Sequence, residues 1–454
     1  MYIIFPGLYA RSLDAGESGW LAFEKVRQTN RCHCPIDFPE NRPESGSEAT
    51  RNKDKLKELG WGKATDPYRM DSDKLLWHRD RLSEWASEKR IVPLHIDMGI
   101  TTGCNLGCKF CYGVIQSRKG FVGTDGWIST AKTYGTIENM PLDTIINIFD
   151  DAKKSGVRSI NIDGSGENTL NPALGPALEH ATKIDLDVSL ATHGASIKEE
   201  TIDTLLTSLQ WLRINLSAAT RESYKTVHQR DWFDKVIKNT RLLVEGKKKK
   251  GLRNKKGLET TIGFQMILTR DNFADIVPLA KLGKELGIDY TVIKPISDAP
   301  DNRLDAPFDE YLGHVDTFKE AEKYSTEDYS VIIKWRKMGN LGNKRYQKCY
   351  GTRFIIAIEG NGSVFPCGHW FDIEKEKFSL GNVNETSLAE IFKSEKYWKA
   401  QNEILNVDLR NCQSNCRQHN ANLTLWDISQ KENPVEFVEN EQIKGSQPKH
   451  VIFV

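Results

Sequence analysis

Apolar and polar positions along this chain follow two regimes. From about residue 94 to 295, short apolar runs of strand length alternate with longer segments of helical period. Leu94 to Ile100 reads as a strand, Leu142 to Lys154 as a helix and Val157 to Ile162 as a strand. Pro172 opens the next helix, Leu186 to Ala191 is a strand, 198–209 is helical and Leu212 to Ser217 is extended. A helix over 222–245, a strand from Thr260 to Leu268, a helix over 274–286 and a strand from Tyr290 to Lys294 complete the pattern. Six strands alternating with helices predict a parallel α/β sheet or partial barrel, whose loops after the strand C-termini build the site.

Outside that stretch the alternation is lost. Before it, Pro35, Pro39, Pro43, Gly46 and Ser47 punctuate a loop, and Leu75, Leu76, Leu82 and Trp85 share one face of a helix expected from Ser72 to Lys89. After about residue 300, Phe354 to Ile358 and Ser363 to Phe365 flank Glu359-Gly360-Asn361-Gly362 as a hairpin, and Leu388 to Phe392 starts a short helix. The expected organisation is an N-terminal extension (1–92), a core (93–300), a bridging region (301–345), a cysteine-bearing α+β unit (346–430) and a tail (431–454).

Composition narrows the function. In 454 residues, 63 Lys and Arg nearly cancel 62 Asp and Glu, so no global field draws the protein to nucleic acid or anionic lipid. No apolar run approaches the roughly 20 residues that span a bilayer, and the start lacks a signal-peptide pattern. Lys247 to Lys250, with Arg253, Lys255 and Lys256, reads as a solvated basic loop. Seven of the nine cysteines fall in two clusters, which argues for metal ligation in a reducing cytoplasm rather than for disulfides.

The first cluster is Thr101-Thr-Gly-Cys104-Asn-Leu-Gly-Cys108-Lys-Phe-Cys111-Tyr112. The spacing C-x3-C-x2-C supplies three thiolates, one fewer than a four-iron cubane takes, and so leaves one iron open to a small molecule. Zinc would want a fourth Cys or His, and none lies nearby. The second cluster is Cys349 and Cys367 around the Gly362 hairpin, then Cys412 and Cys416. Four thiolates suit either a fully ligated four-iron cluster or a structural zinc. His369 reads as a satisfied polar residue. Cys32-His33-Cys34 completes no site, and Glu17, Asp37, Asp97, Asp163 and His193 are not singled out.

The first motif, with Phe110 before its last cysteine, resembles the signature of radical S-adenosylmethionine (SAM) enzymes. The resemblance implies a partial (β/α)6 TIM-like barrel with an N-terminal extension and a small α+β C-terminal cluster domain. It implies a SAM-binding [4Fe–4S] cluster on Cys104, Cys108 and Cys111. Gly164-Ser165-Gly166-Glu167 resembles the family's Gly-Gly-Glu element, which holds the methionyl amine. Asn215 and Ser217 match the strand that meets the ribose or carboxylate, and His228 with Arg230 lies where relatives place a carboxylate partner. Phe110 and Tyr112 would line the cofactor, and Ile293-Lys294-Pro295 falls near the adenine. The second cluster resembles the SPASM domain or its short twitch form, with one auxiliary [4Fe–4S] cluster on Cys349, Cys367, Cys412 and Cys416; the closing C-x3-C departs from the usual C-x2-C by one residue.

The chemistry so implied is reductive cleavage of SAM to a 5′-deoxyadenosyl radical, hydrogen abstraction from substrate and electron transfer to the auxiliary cluster. The expected donor is a flavodoxin or ferredoxin. The leading substrate expectation is a small sugar, cyclitol or nucleotide sugar, because Met70 to Leu76, Trp85, Arg417, Asn422 and Trp426 resemble relatives of sugar pathways. A maturase acting on a ribosomal peptide or protein is the first alternative. Nucleobase modification and a non-catalytic Fe–S or zinc module follow. Neither a membrane nor a nucleic-acid partner is expected.

Overall fold

The computed structural model describes residues 66–70, 74–113, 134–164, 166–300, 302–340, 344–371, 374–443 and 445–454. The expected loop at 35–47, Cys32-His33-Cys34, Glu17, Asp37, Asp71, Ser72, Asp73 and Ser165 lie outside the described residues.

The strands are β1 (His95–Met98), β2 (Thr101–Cys104), β3 (Tyr134–Asn139), β4 (Ser159–Ile162), β5 (Asp187–Thr192), β6 (Leu209–Asn215), β7 (Thr261–Leu268), β8 (Tyr290–Pro295), β9 (Ser330–Ile333), β10 (Ile355–Ile358), β11 (Ser363–Phe365) and β12 (Gly381–Asn382). Ten of them form one sheet in the order β12-β11-β10-β1-β4-β5-β6-β7-β8-β9. The six expected strands are its middle, paired in parallel from β1 to β8.

Their alternation gives the sheet two different faces. Ile96, Met98, Ile160, Ile162, Leu212, Ile214, Ile262, Phe264 and Ile293 point outward into one buried apolar cluster. Helices Leu142–Ser155, Leu174–Lys183, Ile202–Ser208 and Ile276–Leu286 add their apolar residues to the same cluster. Each such side chain contributes about 1.5–3 kcal/mol by leaving water. The residues between them are polar: Asp97, Asn161, Arg213, Gln265 and Lys294 line one cavity of about 430 Å³. A sheet whose distant strands line one cavity is curved around it, which is the partial barrel. A structural barrel would fill that lumen with branched aliphatics; here it is hollow, and polar side chains from five strands enter it beside apolar ones such as Trp211, Ile267 and Val292.

Four expectations need correction. Leu94 to Ile100 is not one strand: β1 ends at Met98, and β2 runs on to Cys104 paired antiparallel with β3. The expected helix over 222–245 is two helices, Arg221–His228 and Phe233–Lys248, interrupted at Gln229, whose φ is 59°. The expected helix from Ser72 to Lys89 is, among the described residues, a 3-10 turn at Leu75–Trp77 and a helix at Arg79–Ala86. The alternation also continues past residue 300, with helix Val315–Glu322 and then β9 parallel to β8. Four apolar-to-small residues, Ser330 to Ile333, carried too little period to reveal an edge strand.

The expected hairpin is present as β10 and β11, and β10 pairs in parallel with β1, so the barrel sheet runs unbroken into the C-terminal unit. The last residues return to the strand starts. Phe453 is buried edge-on to His95 at 5.7 Å and Trp211 at 5.6 Å. Ser159 Oγ donates to the Ile452 carbonyl (2.7 Å), and Lys74 Nζ donates to those of His450 and Phe453 (3.1 Å each). The tail thus floors the barrel at the end opposite the cysteine loop. Among the described residues no helix is long and apolar enough to cross a membrane.

Candidate active site

The first cysteine loop is held by backbone fit. Gly166 lies so close to β2 that a Cβ there would stand 2.2 Å from the Thr101 carbonyl oxygen, which excludes any larger residue. The Glu167 N–H donates to the Gly103 carbonyl (3.0 Å). Asn105 donates to Ser196 Oγ (2.9 Å) and contacts His193 Nε2 (2.8 Å). His193 Nδ1 accepts from the Ala195 N–H (3.0 Å), so its Nε2 carries the proton that Asn105 accepts. The loop after β5 therefore clamps the cysteine loop.

His228 does not reach the cavity. Its Nε2 accepts the Ser217 N–H (3.0 Å), which leaves the proton on Nδ1, 3.1 Å from Cys108 Sγ. Burial holds its pKa down at about 3, so the ring is neutral and is an N–H donor to sulfur. The expected SAM-carboxylate role falls away because both nitrogens are used. Ser217 is likewise internal: its Oγ donates to Asn215 Oδ1 (3.1 Å) and accepts the Ile267 N–H (3.0 Å). Glu167 is buried, with its carboxylate accepting from Thr169, Thr192 Oγ1 and the His193 N–H. It ties the loops after β4 and β5 together rather than facing a ligand. Of the expected cofactor contacts, Phe110, Tyr112, Gly164 and Asn215 line the cavity, while Gly166, Glu167, Ser217 and His228 do not.

The thiols of the first loop feel one another. Burial pushes the Cys104 and Cys108 thiols up; Glu167 and Cys111 push Cys104 further, and Cys104 and Cys111 do the same to Cys108. In the second group, burial raises Cys349 to about 11 and Cys412 to about 12, with Cys416 adding to both. Cys367 is raised by burial and by Cys412, Cys416 and Cys349. Thiols so opposed to ionising together stay protonated by themselves, and a cationic centre between them would favour the thiolates.

The second group gathers distant segments. Asn422 donates to Cys349 Sγ (3.4 Å) and accepts the Gly351 N–H (2.7 Å). The Gln418 N–H donates to Cys416 Sγ (3.3 Å). Asn415 adopts φ 48° between Cys412 and Cys416, a left-handed position that Asn tolerates, and so accommodates the extra residue of C-x3-C. Asn415 Nδ2 donates to the Ile296 carbonyl and the Ser414 N–H to that of Asp298, both at 2.8 Å, docking this loop on the one after β8. Lys344 Nζ donates to the Cys412 carbonyl (3.2 Å), and buried Lys337 to the Cys416 carbonyl (2.9 Å). Neither lysine was singled out from sequence; no local pattern marks a charge that acts through a distant cysteine.

The two groups meet across the cavity. Cys111 lines it together with Cys367 and Cys416, and Tyr112 Oη lies 2.7 Å from His369 Nδ1. Among the described residues no three His, Cys, Asp or Glu side chains converge enough to hold a metal ion. A lone zinc needs ligands about 2.0–2.3 Å away; a cubane spreads its thiolates around four irons and four sulfides and does not ask for that convergence.

Residues 98–292 match the model of the radical SAM superfamily, and residues 349–418 match SPASM, an iron–sulfur cluster-binding domain. The chain is a radical SAM enzyme with a C-terminal SPASM domain. Its cofactors are SAM and [4Fe–4S] clusters. The tungsten-containing aldehyde ferredoxin oxidoreductase cofactor-modifying protein of Pyrococcus furiosus is 21% identical over 319 residues, 67% of this chain and 82% of that one. The antilisterial bacteriocin subtilosin biosynthesis protein AlbA of Bacillus subtilis is 26% identical over 343 residues, 71% of this chain and 65% of its own length. Streptococcus suis SuiB bound to S-adenosylmethionine shares the fold, with a TM-score of 0.50 at 17% identity and 85% of each chain covered.

Proposed function

We propose that this radical SAM enzyme oxidises a peptide or protein side chain, with the SPASM cluster as electron acceptor. The observation that carries the reading is the single cavity walled by Cys111 on one side and by Cys367 and Cys416 on the other. A substrate held there would lie between the source of a radical and a sink for an electron. The named biosynthetic role of AlbA supports a peptide over a metabolite. The sugar or cyclitol expectation gains no support. Asp71, Ser72 and Asp73 lie outside the described residues, and Arg417 and Asn422 are engaged within the fold, on Asp97 and on Gly351.

Bound at Cys104, Cys108 and Cys111, an iron–sulfur cluster with SAM would supply a 5′-deoxyadenosyl radical. The chain's own residues supply containment and order. The tail closes the lumen floor, Phe110 and Tyr112 wall it, and His228 fixes Cys108. Cys349, Cys367, Cys412 and Cys416 would hold the auxiliary cluster, with Cys349 and Cys367 packed against the apolar group that includes Trp370, Phe371 and Phe378. The substrate would lose a hydrogen atom, then an electron and a proton.

Co-expression with candidate precursor peptides under anaerobic conditions tests this. A peptide lighter by two hydrogens, formed in step with 5′-deoxyadenosine, is the expected product. A low-molecular-weight product with every peptide unchanged would overturn the reading.

A further inference from the structure

The lumen carries more positive charge than the fold uses. Four of its cations are spent on the protein itself. Lys74 holds the tail carbonyls, and Lys334 donates to the Met70 carbonyl (2.5 Å). Lys337 holds Asn415 and Cys416, and Arg417 pairs with Asp97 (3.4 Å) and donates to the Val454 carbonyl (2.7 Å). Arg213 and Lys294 differ. Strand alternation on β6 and β8 aims both into the cavity, with β7 between them. Arg213 stacks over Trp211 (4.9 Å), its Nε is buried without a hydrogen bond, and its one carboxylate, Asp163, stands 3.8 Å away. Among the described residues the Lys294 ammonium has no hydrogen bond, and Asp163 is the one carboxylate whose charge favours it.

Among the described residues Asp163 is the one carboxylate facing this pair, one negative charge against two positive. Asp97 is committed to Arg417 and His95, and Asp163 also accepts the Gly164 N–H (2.7 Å). We infer that Arg213 and Lys294 form a subsite for a carboxylate of the substrate, borne on an acidic side chain or at a peptide C-terminus. The planar fork of an arginine beside a point-charge lysine suits a carboxylate. Lys294 is already under strain as a cation. Burial first, then Lys337, Arg213 and Arg417, pull its pKa to about 7 against Asp163, and an arriving carboxylate would restore its charge. The inference rests on the peptide reading for its substrate, and the test separates the two.

The probes are N-acetylglutamate α-methylamide (side-chain carboxylate), N-acetylglutamine (terminal carboxylate), N-acetylglutamine methylamide (neutral) and glutarate (no peptide bond). Each is titrated calorimetrically into the cluster-loaded, SAM-bound enzyme and into its Lys294→Met, Arg213→Gln and Lys294→Arg variants, all checked for iron content and melting temperature. One or both acidic peptide probes should bind at least about tenfold more tightly than the neutral one. That preference should vanish in Lys294→Met and Arg213→Gln and survive in Lys294→Arg. Equal binding of acidic and neutral probes would overturn the subsite, as would variants that keep the preference or that lose SAM and not the probe. Glutarate outbinding both peptide probes, with the same dependence on Arg213 and Lys294, would uphold the subsite and count against the peptide reading.

Discussion

The two cysteine groups reach similar chemistry by opposite routes. Cys104, Cys108 and Cys111 come from one loop, set by a strand end and clamped by Asn105, Gly166 and His228. Cys349, Cys367, Cys412 and Cys416 are collected from three segments, fixed by Asn422, Gln418 and the docking of Asn415 on the barrel rim. The local group offers three thiols and a neutral N–H to sulfur. The assembled group offers four, with Lys337 and Lys344 on the carbonyls of its last two cysteines. On the proposed reading, the first would leave a coordination position open, and the second would be closed and positively framed, as suits an electron acceptor.

The largest effect expected is from Cys104→Ala, which should reduce SAM cleavage to background when 5′-deoxyadenosine is quantified by chromatography. Cys412→Ala should instead keep cleavage and lose product. Cleavage that survives the first change, or full product after the second, would erase the distinction. Reconstituted enzyme should carry about eight irons, and an alanine in either group should remove about half of them.

His228→Phe sharpens the comparison at the first group. Loss of the N–H to Cys108 should lower the potential of the cluster there and slow cleavage about tenfold, leaving the auxiliary signal in place. At the second group, Lys337→Met should lower the auxiliary potential and leave cleavage near its normal rate; redox titration followed by electron paramagnetic resonance reads both. The smallest effect lies between the groups. The Lys294 pKa falls from 10.5 to about 7 on folding, so over that window the unfolded chain binds the extra proton. Stability therefore rises with pH from about 7 toward 10.5, and its contribution is lost as pH falls through 7. Lys294→Met should flatten that slope in urea melts of the cluster-free protein.

The same contrast explains what the sequence revealed. The six core strands were legible because their outward faces are continuous apolar rows, and the first motif because three ligands share eight residues, 104–111. Edge strand β9 and the split at Gln229 were not: one is too short to show a period, the other turns on a single left-handed residue. His228 was noticed but given the wrong partner, because only folding brings the helix end at 228 onto Cys108. Lys337, Lys344 and the tail that floors the barrel act over separations that local pattern does not encode.

A cluster with one open iron in the first group is the feature on which the proposed chemistry depends. Mössbauer spectra of iron-57-reconstituted enzyme, taken with and without SAM, test it most directly. One iron subsite should shift on adding SAM, and should do so still in Cys412→Ala but not in Cys104→Ala. No shift at all, or a shift that persists without the first three cysteines, would contradict it.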